Sequence, residues 1–364
     1  MAADGSSLRR AVLLGFGARP MLKGEIMNRL ATAFAIAMVV AFGTQAASAQ
    51  TLKAVKDRGE LICGANGTLA GFGMPDPQGN WVGFDVDFCR AIAAAIFNDP
   101  TKVKFVPLTA ANRFTALQSG EIDVLSRNTT WTISRDTSLG IDFAAVNFYD
   151  GQGFMVRKSL KVNSALELND AAVCVQQGTT TELNLADYFR SNHMSVKTVT
   201  FATADEAVKA YDSSRCDSYT TDSSGLYGER LRLTTPGDHI VLPEIISKEP
   251  LSPAIRQGDN NWEDIVRWTH FAMLNAEELG VSKTNLDDKM KSDNPDVRRL
   301  LGLEGQFGEA MGLTNDWGYR IIKHIGNYGE SFERNVGQGS PLKIARGLNA
   351  LWTKGGLQYA PPIR

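Results

Sequence analysis

The chain is short of the residues and spacings that carry most enzyme chemistry. Its 364 residues hold four histidines, His193, His239, His270 and His324, with no HxxxH spacing and no carboxylate cluster beside them. Metal-bound and histidine-based catalysis are not expected, because both need groups held at fixed short separations. None of the four cysteines falls in a CxxC or Cys/His zinc spacing. No GxSxG nucleophile elbow and no P-loop occurs, and Gly71-Phe72-Gly73 lacks the third glycine and the helix of a dinucleotide fingerprint. No cofactor and no metal is implied. Basic residues number 38 against 40 acidic ones, with no basic block, which argues against nucleic acid or an anionic membrane surface as partner. Long apolar runs are also missing beyond the first 50 residues.

One apolar run is present. From Met27 the chain reads MNRL, then Ala31 to Gly43 without a charge, then TQAASAQ. A positive n-region, a thirteen-residue apolar core and a small-residue site at Ala47-Ser48-Ala49 predict a secretory signal peptide cut near Ala49-Gln50. The run is short of the ~20 residues a transmembrane helix needs, so a retained anchor is the lesser alternative. Residues 1–49 are thus read as signal peptide and upstream segment, and the part before Met27 shows no fold-like periodicity. Export to an oxidising compartment would let Cys63, Cys89, Cys174 and Cys216 pair.

Past Gln50, strand-like runs alternate with helical patterns, the signature of βαβ units and a largely parallel sheet. The strand ELICGA is followed by a Gly- and Pro-rich loop, and then by FDVDFCRAIAAAIF. There Asp85 is placed to cap a helix with Cys89, Ile92 and Ile96 on its apolar face. After FYDGQGFMVRK the pattern restarts, with NSALELND read as helical and AAVCVQQGTT as a buried strand. Two α/β lobes are expected: residues 50–150 in lobe 1, 151–245 in lobe 2, and 246–293 returning to lobe 1. Residues 294–364, including LKIARGLNALW, read as a helical C-terminal extension. Four cysteines allow three connectivities, and this organisation favours Cys63–Cys89 and Cys174–Cys216, one bridge per lobe. Four free buried thiols are the alternative.

The stretch GEIDVLSRNTTWTISRDTSLGIDF runs a β-branched strand into a loop of hydroxyls and amides, followed by Arg135. Hydroxyls, loop N–H groups and a guanidinium fork suit a carboxylate. A surface arginine beside capping threonines is the plainer reading. The second unit has its own hydroxyl loop at Thr179 and Thr180, and Asp222 after a strand. These positions fall at the carboxyl ends of strands, where open α/β sheets bind ligands. Asp222 suits an ammonium or a helix N-cap, and Phe72 is a lid aromatic or a core plug. One fixed cation and one fixed anion recognise a zwitterion.

The order GFDVDFCRAIA, ALQSGEIDVL, TTWTISRDTSLGIDF, QQGTTTELNL, TTDSSGL resembles the extracytoplasmic amino-acid-binding proteins of ABC importers, solute-binding family 3. The resemblance covers roughly residues 52–279 and is nearest to the general L-amino-acid-binding subgroup. It implies a periplasmic binding protein type II fold, two α/β lobes joined by a two-segment hinge. The crossings are expected near Asp150 to Phe154 and near Pro243 to Lys248. By the same resemblance Arg135 binds the ligand carboxylate with Asn128, Thr130 and Thr180, Asp222 takes the ammonium, and Phe72 stacks on the ligand. Ser134, Arg127 and Asn128 depart from the family wording, which bears on side-chain preference. The implied function is capture of L-amino acids by a periplasmic monomer that serves a membrane permease, with no enzymatic activity. A small-carboxylate lyase or dehydratase on the same fold, with Asp222 as its only acid or base, and a sensor protein are the alternatives.

Overall fold

The computed structural model describes residues 50–364, so the signal-peptide reading lies outside the described residues. The described chain opens with helix α1 (Gln50–Arg58), strand β1 (Leu61–Ala65), and a small hairpin of β2 (Met74–Pro75) and β3 (Trp81–Val82). Next come α2 (Phe84–Phe97), β4 (Val103–Pro107), α3 (Arg113–Gln118), β5 (Val124–Leu125), α4 (Ile133–Ser138), β6 (Ile141–Phe143) and β7 (Phe148–Asp150). A second unit holds β8 (Gln152–Arg157), β9 (Ala172–Gln176), α5 (Thr180–Ser191), β10 (Lys197–Phe201), α6 (Ala204–Asp212), β11 (Ser218–Asp222), α7 (Ser223–Arg230) and β12 (His239–Val241). The chain then returns through β13 (Glu249–Leu251) and β14 (Ala254–Arg256) to the long helix α8 (Asn260–Glu278).

Two five-stranded sheets result, ordered β4-β1-β5-β14-β6 and β10-β9-β11-β8-β12. In each, three strands run parallel and the last two pairings are antiparallel. Between them β7 and β13 pair antiparallel, with Asp150 opposite Glu249 and Leu251 opposite Phe148. This two-stranded ladder is the only strand pairing among the described residues that joins the two connecting segments. It lies just before the expected first crossing and just after the second.

Local chemistry sets several of these elements. Thr132, Thr179 and Thr203 cap α4, α5 and α6, each accepting from a main-chain N–H one turn on. Asp85 does not cap α2. The N-cap is Gly83, at φ 134°, where an added Cβ would sit 2.1 Å from the Phe72 carbonyl oxygen. Only glycine fits so close an approach. Asp85 is therefore carried into the first turn, where it accepts from Ser126 Oγ (3.1 Å) and Asn128 N (2.8 Å). The segment read as helical at NSALELND forms only a 3-10 turn, Ala165–Glu167.

Both disulfides pair within a lobe, Cys63 to Cys89 and Cys174 to Cys216. The first joins β1 to α2 in the main core, and the second joins β9 to the turn before β11.

Residues beyond α8 form α9 (Leu286–Lys289), α10 (Pro295–Leu300), α11 (Phe307–Ala310), α12 (Trp317–His324) and α13 (Tyr328–Asn335). The stretch LKIARGLNALW is not an α-helix. Gly347 turns at φ 47° and only short 3-10 turns follow. This region shares one apolar core with lobe 1: Trp317, Ile321, Tyr328 and Phe332 pack with Phe84, Phe88 and Phe148. Phe332 stacks on Phe148 with centroids 5.8 Å apart. Helices α12 and α13 each bury one face, through Trp317, Ile321 and Ile322 and through Tyr328 and Phe332.

Two outcomes follow from this packing. Phe332→Ala removes a wholly buried ring and is expected to lower unfolding free energy by about 3–5 kcal/mol in denaturant titration; a midpoint unchanged from wild type would contradict a shared core. Replacing Cys174 and Cys216 together by serine opens a crosslink between residues 42 apart and should cost roughly 2–4 kcal/mol by the same measurement.

Candidate functional site

The β5–α4 loop and the N-termini of α5 and α7 face one another between the two sheets, at the carboxyl ends of β5, β9 and β11. The lobes are closed on each other. Thr130 Oγ1 of lobe 1 lies 3.4 Å from Thr180 Oγ1 of lobe 2. Gly225 and Gly228 of α7 lie against Leu69 and Ala70, close enough that a Cβ on Gly228 would fall 3.0 Å from the Ala70 carbonyl. A cavity of about 40 Å³ remains. It admits water but is far below the several hundred Å³ of a ligand pocket, so admission of a ligand requires the lobes to part.

Four of the six expected residues line this cavity: Asn128, Thr130, Thr180 and Asp222. Asp222 occupies the N-cap position of α7, yet its side chain makes no capping bond. Asp150 of β7 serves that helix instead, accepting from Ser224 N (3.4 Å) and from Ser224 Oγ. The capping alternative for Asp222 is thereby removed. Burial, then Asp150 and Glu249 nearby, hold the Asp222 carboxyl well above the usual carboxylate range, against the pull of Arg113 and Asn128. Burial likewise lifts Asp150 and Asp85 to about 6.

The other two are placed differently. Phe72 is 1% exposed and packs edge-on against Phe84 and Phe148 in the core, so it does not offer a face to the cleft. Its neighbour Leu69 lines the cavity in its stead. Gly71 turns between them at φ 83°, and both side chains are buried in the lobe 1 core. Arg135 is buried one layer behind the cavity wall. Its Nη1 donates to the Thr130 carbonyl (2.8 Å) and its guanidinium lies 5.2 Å from the Phe114 ring centroid. Burial draws its pKa down, with Glu249 and then Asp222 opposing that shift.

Sequence reasoning missed three groups. Glu249 of β13 is 1% exposed and accepts from Thr130 Oγ1 (2.5 Å), Thr180 Oγ1 (2.8 Å), Asn184 Nδ2 (2.7 Å) and Ser247 Oγ (2.7 Å). It opens β13 in the stretch KEPL, which carries no motif. Arg113 and Arg127 both line the cavity. The first opens α3, where its charge marked nothing, and the second registered only as a departure from family wording. The cavity wall thus holds Arg113 and Arg127 on lobe 1, with Arg135 behind it, and Asp222 and Glu229 on lobe 2, while Asp150 and Glu249 stand on the joining strands.

Comparison with known proteins bears on this arrangement. Residues 61–301 match the model of the bacterial extracellular solute-binding proteins, family 3. The chain is 63% identical over 339 residues to the general L-amino acid-binding periplasmic protein AapJ of Rhizobium johnstonii, covering 93% of this chain and 99% of that protein. It is 58% identical over 320 residues to the glutamate/glutamine/aspartate/asparagine-binding protein BztA of Rhodobacter capsulatus, covering 88% and 95%. Among solved structures, a periplasmic binding protein of an ABC transporter from Brucella ovis, with glutathione bound, is 63% identical. It covers 87% of this chain and 100% of that one, with a TM-score of 0.86. The two-sheet fold, the interlobe cleft and these matches together place the chain in the bacterial extracellular solute-binding proteins, family 3.

Proposed function

We propose that this protein captures L-amino acids in the periplasm and passes them to the permease of an ABC importer. The observation that carries the reading is Asp222: a buried carboxylate at a helix start, not used as a cap, facing a cleft whose opposite wall is cationic. A ligand ammonium meets Asp222, and its α-carboxylate meets the hydroxyls of Thr130 and Thr180 and the amide of Asn128. Arg135 acts from behind Thr130, fixing that loop through the Thr130 carbonyl and adding positive potential. Ligand contacts made to both lobes at once favour the closed form, which is a population shift. The closed monomer is the form that the permease receives, and the ligand leaves chemically unchanged. Relatives named as periplasmic amino-acid-binding proteins support both the location and the role. No helix among the described residues is long and apolar enough to cross a membrane.

A short peptide with an amino-acid end is a second reading. It is favoured by a groove of about 230 Å³ that adjoins the cavity through Asn66, Arg127, Gln176 and Ala204, and by glutathione in the Brucella ovis protein.

A thermal-shift screen over the twenty amino acids, small carboxylates and glutathione tests both readings, since a ligand of the native state raises Tm by linkage. A flat response to all of them overturns the function. Asp222→Asn is expected to weaken amino-acid binding at least tenfold, about 1.4 kcal/mol or more, by calorimetry. The pH dependence has a fixed sign. In the empty protein Asp222 holds its proton above the usual carboxylate range, whereas a bound ammonium favours the ionised form. Binding therefore releases a proton, and affinity rises with pH through that raised range before levelling. Calorimetry in buffers of different ionisation enthalpy reads the proton directly; no release, with affinity flat from about pH 5 to 8, contradicts the role.

A further inference from the structure

We infer that lobe 1 and the C-terminal region together form a second ligand site, apart from the interlobe cleft, which takes a small anion built on a planar ring. The ring would carry a carboxylate or a phosphate.

The site is a cavity where β3, α2 and β4 of lobe 1 meet α12 and α13. It measures about 630 Å³, within the ~300–1,000 Å³ of small-molecule sites. None of its lining residues is shared with the interlobe cavity. His324, Ile325 and Arg334 come from beyond residue 301, where the match to the family model ends. The region common to the family therefore cannot build this wall by itself.

One side of the cavity is aromatic. Trp81 stacks on Phe105, with ring centroids 5.1 Å apart and planes at 26°. The half-buried guanidinium of Arg90 lies 5.8 Å from the Phe105 centroid, so a cation stands beside two rings.

The charge of the lining is one-sided. Arg90, Lys283, His324 and Arg334 face a single carboxylate, Asp87. Asp87 is already engaged, accepting from Ser331 Oγ (2.8 Å), Asn335 Nδ2 (2.6 Å) and Arg334. That bond also pairs Arg334. Among the described residues, no carboxylate stands within ion-pair distance of Arg90 or Lys283. The Lys283 ammonium is tethered by a bond to the His324 carbonyl (3.0 Å). Neighbouring carboxylates have other partners: Asp99 accepts from Thr101 N and Oγ1, and Glu330 from the main-chain N–H groups of Lys283 and Asn327. A concave wall lined by one sign of charge focuses its field on an incoming counter-ion. The guanidinium fork matches a carboxylate or phosphate in its plane, and the indole offers a face for the ligand's ring.

Calorimetric titration of the exported chain uses two charged probes, indoleacetate and adenosine monophosphate, against their uncharged counterparts, indoleacetamide and adenosine. A charged probe should bind at least tenfold more tightly than its counterpart, and the tighter of the two names the anionic group. Arg90→Met should weaken that binding at least tenfold, and Lys283→Met by a smaller factor. Asp222→Asn, in the cleft, should leave it unchanged. Tm shows whether Arg90→Met folds, and Lys283→Met, at an exposed side chain, carries the test if it does not. The site is overturned if neither charged probe binds, if the uncharged counterparts bind as tightly, if the folded variants of Arg90 and Lys283 bind as wild type does, or if Asp222→Asn abolishes binding. Acetate and inorganic phosphate binding as tightly as the ring-bearing probes overturns the ligand class. None of these results bears on amino-acid capture, which is read at Asp222.

Discussion

The carboxylate of Glu249 is the contact on which the closed cleft depends. It stands on one of the two strands that join the lobes and is held by donors from three places at once: Thr130 of lobe 1, Thr180 and Asn184 of lobe 2, and Ser247 beside it in the hinge. A charged acceptor bonded on so many sides makes stronger hydrogen bonds than neutral pairs do, and removing any donor leaves part of a buried charge unsatisfied. The tie also consumes the hydroxyls of Thr130 and Thr180 that face the cavity. Ligand entry must therefore loosen a network already satisfied, and the energy of closing on a ligand is the difference between two bonded states. That difference is smaller than a list of ligand contacts would suggest.

The opposed charges of the cleft follow from where each wall is built. Lobe 1 supplies arginines from α3, the β5–α4 loop and α4, whereas carboxylates come from β7, β11 and β13. Neither wall neutralises the other at contact distance, so each leaves a residual field in a site of low dielectric. Buried arginines without a carboxylate partner are unfavourable for the empty fold, but Arg113 and Arg127 stand in place before a ligand arrives. Burial sets the direction of every shift here, lifting Asp150 and Asp222 and lowering Arg113, Arg127 and Arg135.

What was legible in the sequence was what local pattern controls. The alternation of strand and helix, the duplicated α/β unit, the cysteine pairing and the hydroxyl loops follow from periodicity and turn chemistry, and the coordinates agree with them. What escaped was side-chain direction. Phe72 and Leu69 stand three residues apart in one loop, and it is Leu69 that lines the cavity while Phe72 packs among core aromatics. Arg135 has the right residue type and spacing for a carboxylate, but its fork is partly used by the carbonyl of its own loop. Arg113 carries no motif, and only the fold shows that the start of α3 lies against the cleft. Glu249 carries no local signal at all, because its partners lie between 2 and 119 residues away.

The C-terminal region shows the same limit and ties the first joining strand to lobe 1. Its apolar helices mark it as packed, but not what it packs on. Asn349 binds both main-chain groups of Tyr149 in β7, at 2.7 and 3.0 Å, and Tyr328 Oη donates to the Asn147 carbonyl. Arg346 lies over the rings of Tyr328 and Phe332 and pairs with Glu277 of α8. The first hinge strand is thus secured to lobe 1 up to Tyr149, while Asp150, one residue on, bonds α7 of lobe 2. The lobes thus change over at Gly151, whose amide is held by the Asp150 side chain. Asp150 and Glu249 therefore stand opposite one another on the strand pair that joins the lobes.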